Sequence, residues 1–248
     1  MSDRYINLTK DNLEIEHICC AISDKKHQNG VDAKKKWLKS RFEEGHVFRK
    51  LDERGKVFIE YAPLENAWAP VCGDNYMYIY CLWVAGSFKG HGHGKALLEY
   101  CVEDAKKQKK SGVCILSSKK KISYLSDKKF MLHYGFEVVD TAGDYELLAL
   151  SFDKTKPSFM KNAKTMTIKE KELTIYYGIQ CPFIPHCIDE VKQYCAENHI
   201  PLKLIPVDTL DKAKKVPCVF TNWALFQDGQ FVSTLLMNEG IIRKLLGK

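Results

Sequence analysis

The sequence predicts an α/β protein in two parts, a larger mixed-sheet half and a smaller half behind it. Three observations carry that prediction. Over residues 1–152 the hydrophobic patterns run in the order αα, ββ, α, β, α, ββ. The stretch Asp153 to Lys164 is polar, carries Pro157 and separates two regions that read as packed, so residues 153–165 are taken as a linker. Residues 166–248 then run β-α-β followed by ββα. A length of 248 residues suits one to two domains at roughly 150 residues each.

Each element has its own signal. Residues 11–23 and 30–44 read as helices, the second with Trp37, Leu38 and Phe42 at helical spacing. Val57 to Ala62 and Tyr76 to Val84 are rich in aromatic and β-branched residues and read as strands. Gly94 to Lys107 puts Ala96, Leu97, Tyr100, Cys101 and Ala105 on one side of an amphipathic helix. Val113 to Ser117 is a short buried strand, and Asp127 to His133 a helix ended by Gly135. Phe136 to Val139 and Tyr145 to Phe152 close the first half as strands. In the second half Leu173 to Tyr177 and Pro201 to Val207 are strands on either side of a helix from Cys187 to Asn198. Cys218 to Phe226 and Phe231 to Leu236 form a hairpin around Gln227-Asp228-Gly229-Gln230, and Glu239 to Leu246 is a terminal helix.

Composition removes several classes. Hydrophobic residues at 45% are too many for a disordered chain, and 15 Gly with 8 Pro are too few for collagen. No stretch approaches the roughly 18 apolar residues of a membrane span. The N-terminus has no apolar signal core, so a cytoplasmic protein without a membrane partner is expected. The net charge of +7 comes from Lys in short runs, such as Lys34 to Lys36 and Lys119 to Lys121, without interleaved Arg or aromatics. Such runs read as solvated surface and not as a nucleic-acid face. Ten cysteines lie mostly in apolar stretches, as Cys81, Cys114 and Cys218 do, and are expected as reduced, packed thiols. No pair has CxxC spacing, so no structural metal is expected.

The chemistry concentrates in YIYCLWV-AGSF-KGHGHGKALLEYC, a strand, a glycine-rich turn and a helix. Gly90, Gly92 and Gly94 fall on alternate positions. Glycine lets backbone approach a ligand, and successive amides at a helix N-terminus cradle an anion. The helix end favours a phosphate by about 1 kcal/mol, and Lys89 and Lys95 flank it. The P-loop pattern GxxxxGK[ST] is absent, and the GxGxxG dinucleotide pattern is not matched. His91 and His93 lack a third metal ligand nearby.

Lys89-Gly90-His91-Gly92-His93-Gly94 resembles motif A of the GNAT superfamily of acetyl-CoA-dependent N-acetyltransferases, [RQ]-x-x-G-x-[GA], with Lys in place of Arg or Gln. Phe130-Met-Leu-His-Tyr-Gly135-Phe136 resembles that family's late helix–strand motif, and Cys81-Leu82-Trp83-Val84 with the turn resembles the branch joined to a YoaP-type C-terminal domain, a resemblance over nearly the whole chain. The resemblance implies a GNAT fold over 1–152 and acetyl-CoA as cosubstrate. It implies that backbone groups of Leu82, Trp83 and Val84 take the pantetheine arm and that, within the cofactor-binding turn Lys89 to Lys95, the amides of His91 to Lys95 hold the pyrophosphate. An acceptor amine would attack the thioester directly, by proximity and oxyanion stabilisation. The family's usual Tyr acid falls on Met131, which cannot donate a proton; Tyr134 or His133 would substitute, or the thiolate leaves unaided. Glu60, in the strand FIEYA, is the candidate base, against a reading as a solvated sheet face.

Residues 166–248 resemble a thioredoxin-like domain, with Cys181-Pro182-Phe183 opening a helix and Val216-Pro217 before a hairpin. Position 184 is Ile where a dithiol protein has its second Cys, so Cys181 is a substrate-binding or monothiol redox candidate only. The Val216–Pro217 bond is expected to be cis and to face Cys181, which would give this domain a binding role. Two other readings stand beside the acetyltransferase: a non-catalytic acyl-CoA or protein-binding module, and a thiol-redox protein built on Cys181.

Overall fold

The computed structural model describes residues 4–22, 25–236 and 238–245. In chain order the elements are β1 (Tyr5–Asn7), α1 (Gln28–Arg41), β2 (Val47–Leu51), β3 (Val57–Pro63), β4 (Val71–Cys72), β5 (Tyr76–Val84), α2 (His93–Lys107), β6 (Gly112–Ser118), α3 (Lys128–His133), β7 (Glu137–Ala142), β8 (Tyr145–Ser151) and β9 (Ser158–Phe159). There follow β10 (Leu173–Tyr177), α4 (Ile184–Glu197), β11 (Leu202–Pro206), α5 (Leu210–Lys215), β12 (Trp223–Gln227), β13 (Gln230–Ser233) and α6 (Glu239–Leu245). Leu246, predicted as the last helical residue, lies outside the described residues.

The chain divides into two compact units. One comprises Met1–Ile22, Leu38–Ala67 and Val71–Met160; the other Ser23–Trp37, Trp68–Pro70 and Lys161–Lys248. The second unit is therefore not contiguous in sequence. It draws in two segments that no linear boundary at residues 153–165 includes. The polar stretch itself carries structure: it contains β9, buries Phe159 and Ala163, and its Asn162 amide donates to the carbonyls of Lys214 and Val216 at 2.9 and 2.8 Å.

The first unit is a mixed α/β sheet in the order β1-β2-β3-β5-β6-β8-β7. Every neighbouring pair is antiparallel except β5 and β6. One face carries Val57, Ile59 and Tyr61 of β3, Met77 and Ile79 of β5, Val113 and Ile115 of β6 and Leu148 of β8. Against it pack Leu97, Leu98, Cys101 and Ala105 of α2 and Met131 of α3. Each fully buried Leu there stabilises by about 1.5–3 kcal/mol.

Residues 11–22 form turns, not the helix predicted over 11–23, and Ser23 lies outside the described residues. Leu13, Ile18 and Ala21 are buried, but Cys19 has φ of 54°, which no α-helix admits, and Ile15 is exposed. The Asn12 side chain accepts from the Thr9 amide and donates to the Asn7 carbonyl, a local bonding that competes with helix. The strands β1 and β2 were not predicted. In β2 the charged Arg49 and Lys50 are buried, Lys50 paired with Glu16 at 2.8 Å, which hides the strand from a hydrophobic pattern.

The second unit has a four-stranded sheet in the order β11-β10-β12-β13. β10 and β11 are parallel, joined through α4; β12 runs antiparallel to β10 and pairs with β13 as a hairpin. Ile184, Ile188, Val191 and Cys195 of α4 pack on Leu173, Ile175, Trp223 and Leu225. The Val216–Pro217 bond is not cis, since no described residue has a cis peptide. β12 begins only at Trp223, so the residues that enter the strand are Thr221 and Asn222, and Pro217 is not in the position that motivated the expectation. The binding role inferred from a cis bond falls with it.

Residues 25–37 belong to this unit by close contact. A Cβ at Gly30 would overlap the carbonyl oxygen of Pro182, and the His27 ring lies edge-on to Phe183 with centroids 4.5 Å apart. Gly30→Ala therefore forces backbone apart. It is expected to destabilise the protein by about 1–3 kcal/mol in urea unfolding, whereas a change within 0.3 kcal/mol would show that this packing is not real.

Candidate functional site

The site starts from the way β5 is paired. On its β3 side β5 is bonded along its whole length, from Met77↔Pro63 to Val84↔Val57. On its β6 side the pairing runs only from Tyr76↔Gly112 to Ile79↔Ile115, although β6 continues to Ser118. The two parallel strands separate after Ile79. The cause lies in the register with β3: Glu60 pairs with Cys81 and Tyr61 with Ile79, so Tyr80 is an extra residue. A bulge of this kind bends its strand and raises its twist.

Parity then says which backbone groups face the gap. The Ala85 amide donates to the Lys56 carbonyl at 3.0 Å. In an antiparallel ladder bonded residues alternate, so Trp83 is bonded to β3 while Leu82 and Val84 turn their N–H and C=O away from it, toward the opening. Of the three residues singled out in the sequence, Leu82 and Val84 present free backbone; Trp83 presents an exposed ring instead.

The turn after β5 is built for close approach. Gly86, Gly90 and Gly92 have φ of 65°, 80° and 78°, and a Cβ on any of them would meet no protein atom within 4 Å. Gly92 is the N-cap of α2, and its carbonyl accepts from Ala96. The amides of His93, Gly94 and Lys95 have no carbonyl one turn back to bond. They face the same helix end that the dipole makes positive. Lys89, His91 and Lys95 are exposed around it, and Lys95 reaches Glu99 at 3.7 Å. His93 differs from its neighbours: its side chain is buried, with Nδ1 2.7 Å from the Tyr5 hydroxyl.

Tyr134 and Glu60 are on opposite sides of the sheet. Tyr134 ends α3 and packs on the α2-side core, its ring 4.8 Å from that of Phe130. Phe130 in turn lies over Gly94, so Tyr134 is one ring removed from the first turn of α2. Met131, on which the resemblance places the family's usual acid, is fully buried in the core. Glu60 alternates with Ile59 and Tyr61 and so points to the other face. It is not on a solvated face: it is 1% exposed and takes a bond from His46 Nε2 at 2.9 Å. The His46 ring lies 5.1 Å from that of Tyr80, the bulge residue. Because of the bulge, Tyr80 and Cys81 both face the Glu60 side.

Cys181 is half-buried just before α4, its carbonyl accepting from Ile184. The nearest cysteine in sequence, Cys187, has its thiol pushed up to about 11, chiefly by burial. All ten cysteines are free thiols. Among the described residues no group of three His, Cys, Asp or Glu could hold a metal, and no helix is long and apolar enough to cross a membrane.

Residues 12–121 match the Acetyltransferase (GNAT) family, and residues 201–244 match the YoaP-like family. A Bacillus subtilis (strain 168) protein described as "Uncharacterized N-acetyltransferase YoaP" is 43% identical over 245 residues, 98% of either chain. The chain belongs to the GNAT acetyltransferase family. Acetyltransferases of known structure resemble it at lower identity. An N-acetyltransferase from Staphylococcus aureus Mu50 is 14% identical and covers 61% of this chain and 100% of its own, with a TM-score of 0.44. A GNAT family acetyltransferase from Brucella melitensis, in complex with acetyl-CoA, is 15% identical over 62% of this chain and 91% of its own, with a TM-score of 0.39. Within the GNAT half, the residues that sequence reasoning missed are Tyr5 and His46, which bond His93 and Glu60. Neither sits in a motif, and each acts through a contact distant in sequence.

Burial, then the charges of Arg4 and His91, hold His93 below the usual histidine pKa of 6.5. The unfolded chain thus binds a proton that the folded one refuses. The resulting stability is complete above about pH 6.5 and is lost as pH falls toward the folded midpoint. Burial lowers His17 in the same direction, against its bond with Gly55. An NMR titration of the His93 ring should show a midpoint below 6.5, and resistance to urea should fall from pH 7.5 to 5.5. A midpoint at or above 6.5 would contradict this burial.

Proposed function

We propose that the protein transfers an acetyl group from acetyl-CoA to an amine by direct attack on the thioester, at the point where β5 leaves β6. The observation that carries this reading is the open backbone of Leu82 and Val84 beside the exposed glycine turn. The pantetheine amides bond to the open edge as a further strand would. The pyrophosphate takes the amides of His93 to Lys95, with Gly90 and Gly92 leaving room and Lys89 and Lys95 adding charge. The acetyl carbonyl then stands in the wedge, polarised by backbone N–H.

The acceptor nitrogen forms its bond to the acetyl carbon, and the C–S bond breaks. The proton released from nitrogen goes to Glu60, on the face opposite α2, with His46 as the partner of that carboxylate. On the α2 face Tyr134 is the candidate donor to the departing thiolate. With a thiol pKa of about 8.5 the thiolate also leaves without a dedicated acid. The two faces of one opening thus serve the two proton transfers. Within 1–152 this is the catalytic domain, expected in the cytoplasm, where its thiols stay reduced.

For residues 166–248 we adopt a thioredoxin-like reading, supported by the order β11-β10-β12-β13 and its strand directions. The missing second Cys and the raised Cys187 thiol favour a binding or structural domain over a redox one.

Gly92→Ala costs about 1–2 kcal/mol of backbone strain at positive φ and should leave the protein folded. Calorimetry should show CoA affinity at least tenfold weaker, and lost in Gly92→Val. Unchanged affinity in the folded variants would remove the cradle. With an amine found by screening acetyl-CoA turnover, Glu60→Gln should lower kcat at least a hundredfold. Tyr134→Phe should lower it less than tenfold, or about 1.4 kcal/mol; a hundredfold loss with CoA binding intact would make Tyr134 the acid.

A further inference from the structure

The tip of the glycine turn, Lys89 to Gly92, is exposed. A Cβ on Gly90 or Gly92 would meet nothing within 4 Å and Lys89 and His91 are exposed, whereas Gly94 lies against Phe130. At the end of the turn the His93 ring is held by β1. The Tyr5 hydroxyl and His93 Nδ1 are 2.7 Å apart, and the His93 ring stands edge-on to Tyr5 and to Phe88, each at 5.9 Å between centroids. Phe88 is closed in from behind by Gly55, where any Cβ would strike its ring.

A second contact of the same kind lies two helical turns on. Asn7 Nδ2 donates to the Tyr100 hydroxyl at 2.8 Å, and Asn7 Oδ1 accepts from Arg49 Nη1 at 2.9 Å. The Arg49 guanidinium is 3.8 Å from the Tyr100 ring centre and 5.5 Å from that of Tyr5. Tyr5 and Asn7 share one side of β1, two residues apart; His93 and Tyr100 share one side of α2, seven apart. A three-residue strand therefore grips α2 at two points, and the upper grip falls on the first residue of the helix.

We propose that Tyr5 is a positioning residue for CoA, acting through His93 to set where the first amides of α2 stand. It rests on the reading of that turn as the pyrophosphate cradle. Amide hydrogen bonds weaken steeply with distance and angle, so a helix start that slides along its axis loses several contacts to the phosphates at once.

Calorimetry of the full chain with CoA tests this, together with thermal unfolding. Tyr5→Phe removes only the hydroxyl and should weaken CoA about tenfold while Tm changes little. His93→Leu should weaken CoA at least as much, and adding Tyr5→Phe to it should cost less than a further threefold, because both act through one contact. His93→Asn restores a polar atom near the Nδ1 position and should regain at least threefold over His93→Leu. Affinity within twofold of wild type in Tyr5→Phe would overturn the proposal, as would a tenfold effect of Tyr5→Phe that persists in full without His93. The cradle fails separately: Gly92→Val would then keep its CoA affinity. Loss in Gly92→Val with none in Tyr5→Phe would sink the Tyr5 role alone.

Discussion

Parallel strands that pair for four residues and then part leave backbone donors and acceptors without partners, and the rest of the catalytic half is arranged around that gap. Unmatched backbone groups out of reach of water cost about 1–3 kcal/mol each, so a sheet does not open without a reason. Here the reason is one extra residue, Tyr80, opposite the Glu60–Tyr61 step of β3. The bulge turns the last residues of β5 away from β6 while β3 keeps them fully bonded on the other side. A strand held on one edge and open on the other is a rigid template for a ligand rich in amides. The glycine turn and α2 follow directly from the end of that strand, so the anion cradle and the open edge come from one continuous stretch of chain.

The same bulge sorts the side chains. It moves Tyr80 and Cys81 together onto the face of Glu60, while Leu82 and Val84 stay with the α2-side core. Glu60 is a buried carboxylate, and the effective cost of placing such a charge out of water is several kcal/mol unless it is paired. His46 supplies the pair. On the opposite face the chain Gly94, Phe130, Tyr134 links the cradle to the end of α3. One deformation of one strand therefore separates the face that carries α2 from the face that carries Glu60.

Much of this was legible in the sequence because it is local. Gly90, Gly92 and Gly94 between a β-branched strand and an amphipathic helix mark the turn without any tertiary knowledge. The bounds of β5 and of β10 follow from aromatic and β-branched runs alone. What was not legible depends on partners far along the chain. β1 is only three residues, and β2 hides buried Arg49 and Lys50 whose neutralising contacts lie on α2 and on the 9–22 turns. α5 has too few apolar residues to show a periodicity; only the Thr209 cap marks it. The cis expectation at Pro217 failed because it took Pro217 as adjacent to the strand, whereas β12 starts at Trp223. Tyr5 and His46 belong to no motif, and their bonds to His93 and Glu60 join residues distant in sequence.

The central claim is that CoA is bound by the backbone of the open strand edge and the first turn of α2. Amide hydrogen exchange with and without CoA reads those groups directly. Leu82, Val84, His93, Gly94 and Lys95 should gain protection when CoA is added, while Met77 to Ile79, already paired on both sides, should not change. Protection that appears elsewhere, or CoA binding that leaves Leu82 and Val84 exchanging as before, would contradict the account.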